Sequence, residues 1–376
     1  TVPVGASGGN RASGGDPFEL VGTTIADKYR IERVLGEGGF GVVYAGTHLV
    51  LGTAVAVKVM KPLAGTTEQA DRAMRSFVRE ARTLFGLTHP GIVRMYDVGT
   101  LKARGHELPY VVLEQLEGRT LEDEINARAR DRRPFGNAEI RALFDTILSA
   151  LAFAHGSGVA HLDLKPSNIM ILAASRTSAP ADAPRVKILD FGLAKLVSGE
   201  GATQTSMSAF TPAYAAPEQW SEGMGDPGPR TDVFAMGLTL AESLTLSPAL
   251  SARTPAQIFS EVMKPSRKVN LAETARVGLP PGLQHVIDRA LCTDPQMRYA
   301  DAAAMRDELL AVFSGKVPEP VPLLPPTFGH PRGGSSPQDG SQRPILHPQQ
   351  LEGQEGKCHQ HEAIFDDPPL RPSDSQ

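Results

Sequence analysis

Cysteine is nearly absent. Cys292 and Cys358 are the only two among 376 residues, which rules out a disulfide framework and points to a reducing, cytoplasmic compartment. Charge of one sign is lacking as well: 38 Lys and Arg face 42 Asp and Glu, and a net charge of -4 provides no basic bulk for coating a nucleic acid or anchoring to a membrane surface. A discrete phosphate site can still exist in so balanced a chain. No apolar run near the start resembles a secretory signal, and the first residue is Thr1 rather than Met, which fits either Met removal or a fragment. The most apolar stretch, 233–250, is interrupted by Glu242, hydroxyl residues and Pro248, so it reads as a buried core helix and not a membrane span.

What the chain has in excess is glycine (37) and proline (31), above the ~12% combined share of ordinary globular chains. Their placement divides the sequence. Residues 1–28 are expected to form a disordered lead, whose first part is Gly, Ser and Ala, with too few large apolar groups to offset the entropy of ordering. Residues 314–376 form a Pro-rich tail, expected to be extended or disordered and able to dock a partner with a groove for extended peptides, although a linker role is the default. Its Cys358-His359-Gln360-His361 is too thin for a metal site, with one Cys, two His and no packed core around them.

Between lies one foldable block, 29–313. Its front reads as strands at 29–35, 41–49 and 53–60, then a helix at 68–86 with Met74, Phe77, Val78, Ala81, Leu84 and Phe85 at helical spacing, then strands at 91–98 and 110–114. Beyond Gly118 the pattern is helical: Asn137 is placed to cap a helix striped by Ile140, Leu143, Phe144, Ile147, Leu148 and Leu151, and a last helix starts after Asp301. The expected fold is α+β and two-lobed, a β-rich N-lobe joined to a mostly helical C-lobe, with a ligand cleft between them.

The chemistry-bearing residues fall in a fixed order. Leu35-Gly36-Glu37-Gly38-Gly39-Phe40-Gly41-Val42-Val43 places glycines where backbone can approach phosphate oxygens without a clashing side chain. Strand-like residues on both sides disfavour a dinucleotide-binding turn, which should open a helix. Lys58 follows in Ala54-Val55-Ala56-Val57-Lys58, and Glu80 sits on the next helix; an ammonium held by a carboxylate can clamp nucleotide phosphates. The second lobe holds His161-Leu162-Asp163-Leu164-Lys165-Pro166-Ser167-Asn168, then Asp190-Phe191-Gly192. Phosphoryl transfer needs a carboxylate to orient the acceptor, a cation for developing charge and oxygen ligands for Mg²⁺. Asp163 and Lys165 supply the first two, Asn168 and Asp190 the third. Each could separately cap a turn; the ordered set is not explained that way.

From 29 to 313 the chain resembles the protein kinases, specifically the eukaryotic-like Ser/Thr kinases of bacteria. The matching motifs run in order through the Gly loop, Lys58, Glu80, Asp163 with Asn168, Asp190-Phe191-Gly192, Ala216-Pro217-Glu218, Asp232 and Arg298. The resemblance implies ATP and Mg²⁺ as cofactors and protein Ser/Thr hydroxyls as acceptors, the latter from Lys165 and Thr211. It also implies adenine contacts from the backbone of Glu114 and Leu116 and from Val43, Ala56 and Met170, and a stack of Leu84, Met95, His161 and Phe191 joining the lobes. Glu218 should pair with Arg298, and Asp232 should brace the catalytic loop.

Three departures stand out. Leu162 replaces the usual Arg, so it cannot pair with a phosphate on the activation loop, where Thr203, Thr205, Ser206 and Ser208 are candidate autophosphorylation sites. Phe210 replaces a usual Gly, which is expected to reshape the peptide-docking surface. The stretch 173–185, rich in Ala, Pro and Ser, reads as a surface excursion. A nucleotide-binding scaffold without transfer finds no support, because none of the expected catalytic residues is missing, and a small-molecule kinase is disfavoured by the Ala216-Pro217-Glu218 segment.

Overall fold

The computed structural model describes residues 15–39, 41–61, 77, 81, 84–173, 185–191, 210–264, 269–274 and 278–318. The N-lobe is an antiparallel sheet of β1 (Thr24–Ile25), β2 (Tyr29–Glu37), β3 (Gly41–His48), β4 (Thr53–Met60), β5 (Met95–Ala103) and β6 (His106–Glu114), in the order β1-β2-β3-β4-β6-β5. Alternation in β4 assigns its two faces: Val55, Val57 and Val59 join Val42 and Tyr44 in one apolar core, while Met60 belongs to the core on the opposite side. Lys58 shares that second face and pairs across the ladder with Val43. Gly41 is required by packing, since a Cβ there would lie 2.2 Å from the Val59 carbonyl oxygen.

The folded lobe begins earlier than Tyr29. Asp16 accepts hydrogen bonds from the Val21 amide and the Tyr44 hydroxyl, both at 2.7 Å, and Phe18, Leu20 and Ile25 are buried in the N-lobe core. The lead therefore supplies apolar side chains where the low-complexity stretch ends. Of the helix expected at 68–86, the described residues Phe77, Ala81 and Leu84 are helical and buried, whereas Phe85 of the same expected stripe is helical but exposed. Glu80 and the excursion's 174–184 lie outside the described residues, as do 319–376, which hold most of the tail and the Cys358 cluster.

The strand expected at 91–98 starts instead at Met95. The preceding residues are diverted to the other lobe, where the Val93 amide bonds to the Ile188 carbonyl (2.9 Å) and the Ile188 amide to the Gly91 carbonyl (2.8 Å).

The C-lobe carries a small sheet of β7 (Gly118–Thr120), β8 (Ile169–Leu172) and β9 (Val186–Ile188), packed with helices. The longer ones are α1 (Leu121–Arg130), α2 (Asn137–Gly156), α4 (Pro229–Thr245), α5 (Pro255–Val262), α7 (Leu283–Ala290) and α8 (Ala302–Phe313); the short α3 (Pro217–Trp220) and α6 (Leu271–Thr274) fall between them. The apolar stripe of α2 is buried throughout, as its spacing predicts. Its cap differs: Gly136 occupies the N-cap, the Glu139 carboxylate accepts the Gly136 amide at 2.6 Å, and Asn137 instead donates to the Gly278 carbonyl. α4 is buried on nearly every side, which accounts for its apolar run, and ends where Leu246 turns left-handed (φ 55°). Among the described residues no helix is long and apolar enough to cross a membrane.

Glu218 on α3 and Arg298, 80 positions apart, form a two-pronged ion pair of 2.8 and 2.9 Å with neither side chain exposed. The guanidinium also donates to the Cys292 and Thr293 carbonyls. Breaking one partner of such a pair strands the other charge in an apolar setting. Glu218→Ala is expected to lower the unfolding free energy by about 3–5 kcal/mol, read from the urea midpoint, and an unchanged midpoint would overturn that account.

Candidate active site

The catalytic loop is shaped by α4. Asp232, fully buried in the first turn of that helix, accepts the His161 amide at 2.7 Å and the Leu162 amide at 2.8 Å. A third bond comes from His155 Nε2 at 2.9 Å; because the Ala302 amide donates to His155 Nδ1, the proton must sit on Nε2. Leu162 adopts φ 66°, a left-handed conformation that costs a branched apolar residue ~1–2 kcal/mol. The bond from its amide to Asp232 and one from Gln219 Nε2 to its carbonyl, 2.8 Å, hold it there.

That turn presents Asp163. Its Oδ2 accepts from Lys165 Nζ at 2.8 Å and its Oδ1 from the Thr211 amide at 3.0 Å, while Lys165 also donates to Thr211 Oγ1 at 2.5 Å. Asn168 Nδ2 donates to the Asp163 carbonyl at 2.8 Å, which leaves its amide oxygen to face another ligand. His161 is fully buried, its Nε2 donating to the Leu189 carbonyl (2.7 Å) and its ring lying 4.8 Å from that of Phe191. Of the expected interlobe stack, His161 meets Phe191, and Leu84 and Met95 are buried in the same core as Phe191.

Asp190 also stands in a left-handed conformation, φ 57°. It pairs at 2.7 Å with Lys58, whose side chain is almost completely buried. Burial by itself would raise the Asp190 carboxyl, but the Lys58 charge and hydrogen bond, helped by His161 and Lys165, hold it below its ordinary value. In this structure Lys58 therefore meets Asp190; the expected partner Glu80 lies outside the described residues. An ionised Asp190 carboxylate and the free oxygen of Asn168 are hard oxygen donors, and two such ligands with the rest left to phosphate and water suit Mg²⁺.

The cleft roof runs along β2 to β4. Val43 and Ala56 lie on strand faces away from the N-lobe core, whereas Val42 is buried within that core, so its side chain packs the lobe and does not face a nucleotide. Leu35 is exposed on β2, and Glu37 reaches Lys61 at 3.0 Å. Gly36, Gly38 and Gly39 have open space where a Cβ would stand, the Gly38 amide bonds to the Gly41 carbonyl, and Phe40 lies outside the described residues. Met170 is half-buried on β8, and Glu114 and Leu116 connect the lobes.

Three partners carry no signal of their own in the sequence: His155, Gln219 and Lys187. Lys187 on β9 donates to Glu114 Oε1 (2.5 Å) and to the Ile92 carbonyl (3.1 Å), and Glu114 Oε1 also accepts the Arg94 amide. The interlobe connection is thus tied to the strand that leads into Asp190. Phe210, expected to reshape the docking surface, turns inward and is buried against Trp220. Thr203, Thr205, Ser206 and Ser208 lie outside the described residues.

A depressed carboxyl stabilises the fold through its charged form, so the Asp190 contribution is complete above its unfolded value of ~3.9 and disappears as pH falls through the folded value. The urea-midpoint difference between wild type and Asp190→Asn is expected to stay constant from about pH 6 to 8 and to close below about pH 4. A difference that persists unchanged in acid would overturn the assignment.

Comparison with known proteins agrees with this geometry. Residues 29–310 match the protein kinase domain family. The chain is 34% identical over 303 residues to the serine/threonine-protein kinase PknB of Mycobacterium tuberculosis, covering 80% of this chain and 45% of that protein. It is 33% identical over 306 residues to the serine/threonine-protein kinase pkn3 of Myxococcus xanthus, covering 79% and 52%. The chain thus spans about half the length of these curated relatives. A crystal structure of the M. tuberculosis PknI kinase domain shares the fold, with a TM-score of 0.57 at 24% identity over 78% of this chain and 98% of that one. The chain belongs to the protein kinase domain family.

Proposed function

We propose that this domain transfers the γ-phosphoryl group of Mg-ATP to Ser and Thr hydroxyls of proteins, itself included, in bacterial signalling. The observation that carries the reading is Asp163, held by Lys165 on one oxygen and the Thr211 amide on the other, in the same site as an ionised Asp190. Each carboxylate oxygen has a further lone pair, so Asp163 remains able to accept the acceptor hydroxyl and orient it for in-line attack. Lys165 balances charge that develops on the transferred group. Lys58 clamps the nucleotide phosphates with Glu80 as its partner, under the backbone of 36–41. Asn168 and Asp190 hold Mg²⁺, which when bound would neutralise charge on the phosphate oxygens. Val43, Ala56 and Met170 sandwich adenine, with Glu114 and Leu116 bonding its edge through the backbone. Transfer is direct, with no covalent enzyme intermediate.

The two cysteines fit work in a reducing cytoplasm, and the Pro-rich tail offers a docking segment for a partner. Wild type and Asp163→Asn, incubated with labelled ATP, Mg²⁺ and a generic basic protein, should differ in transfer by roughly 100-fold or more, with label recovered as phosphoserine and phosphothreonine. Equal label would overturn the catalytic role of Asp163, and phosphotyrosine the acceptor class.

A further inference from the structure

Thr211 contacts the catalytic pair twice, its amide donating to Asp163 and its hydroxyl accepting from Lys165, while its carbonyl accepts the Tyr214 amide. The residue before it, Phe210, is packed against Trp220. The Phe210 ring is 7% exposed and stands edge-on to Trp220, with ring centres 5.2 Å apart. Trp220 is fixed in turn by its Nε1 donating to the Ala215 carbonyl and by Phe259 of α5, whose ring lies 5.7 Å away. On its other side Phe210 shares a crevice with Leu162, Tyr214 and Ala235, too tight to admit a water molecule. A bulky apolar side chain locked between two elements leaves the next residue little freedom, and Thr211 is that residue.

We infer that Phe210 is a positioning residue: an aromatic anchor, seated between Trp220 and the catalytic loop, that fixes Thr211 on Asp163 and Lys165 without help from a phosphate. Two observations support the last clause. Leu162 offers no charge at the place where this crevice meets the catalytic loop, and Phe210 occupies the space apolarly. Seating of a segment by a phosphate needs a modified residue and a cationic partner; burial of a phenyl ring needs neither. The inference rests on the phosphoryl-transfer reading above, since it assigns the anchor an effect on that reaction.

The test uses the full chain and its single tryptophan. Because Trp220 is the sole Trp, its fluorescence reports directly on the Phe210 contact. Phe210→Gly should make Trp220 markedly more accessible to acrylamide quenching. It should also lower kcat about tenfold or more while KM for ATP moves less than about threefold, as expected when the site is misaligned but nucleotide binding is intact. Phe210→Leu, which refills the crevice apolarly, should recover most of the loss. Phosphatase treatment of wild type should leave kcat within about twofold. Should Phe210→Gly fail to fold by circular dichroism, Trp220→Leu replaces it and should lower kcat at least about threefold by removing the ring on which Phe210 rests.

The anchor is overturned if Phe210→Gly retains wild-type kcat, if quenching does not change, if Phe210→Leu fails alongside it, or if dephosphorylation abolishes turnover. Failure of the parent reading looks different: wild type and Asp163→Asn would then transfer label equally, and the quenching experiment alone would decide the anchor.

Discussion

One buried carboxylate organises the catalytic loop. Asp232 receives two consecutive backbone amides, those of His161 and Leu162, and a histidine Nε2 whose tautomer is set by the start of α8. Without that acceptor the two amides would be left unsatisfied in a fully buried place, and the left-handed turn at Leu162 would lose its restraint. The conformation of Asp163 depends on that turn, and the contacts of Asp163 with Lys165 and Thr211 depend on its conformation. Charge-assisted hydrogen bonds are short and directional, so a single side chain suffices to transmit geometry from the rigid helix α4 to the reacting group.

The two lobes are joined at several points of different chemistry. Lys58 meets Asp190 through charge, Glu114 meets Lys187 through charge and shared backbone contacts, and Leu84, Met95, Phe191 and His161 meet through apolar packing. All three of these ties end on the stretch from Lys187 to Phe191. The far side of the site is held differently: Glu218 and Arg298 are fully buried ions, while Phe210, Trp220 and Phe259 form a run of aromatic contacts.

Much of this was legible in the residue order. Alternation along 53–60 divided β4 between two cores, and the spacing from Ile140 to Leu151 gave the buried face of α2, because periodicity depends only on local backbone geometry. The catalytic residues were legible as an ordered set of motifs. Errors came where a residue's partner lay far along the chain. Asn137 is a good capping residue, yet Glu139 serves that amide and Asn137 finds Gly278 instead. Residues 91–93 have strand character but bond to Ile188 in the other lobe. The lead has a low-complexity start, but Phe18 and Leu20 are apolar enough to join a core that the strands provide.

The sequence by itself determined the two-lobed class, the order of the strands and helices, and the ordered set of residues from which the proposed site is built, because these follow from local periodicity and from motifs of near neighbours. Tertiary structure alone decided that Lys58 meets Asp190, that Lys187 ties Glu114 to β9, that Val42 faces the core, and that Phe210 turns inward against Trp220. Each of these joins residues dozens of positions apart or chooses between two faces of a strand or loop. Such choices are made by burial and pairing in the assembled lobes, and no local pattern encodes them.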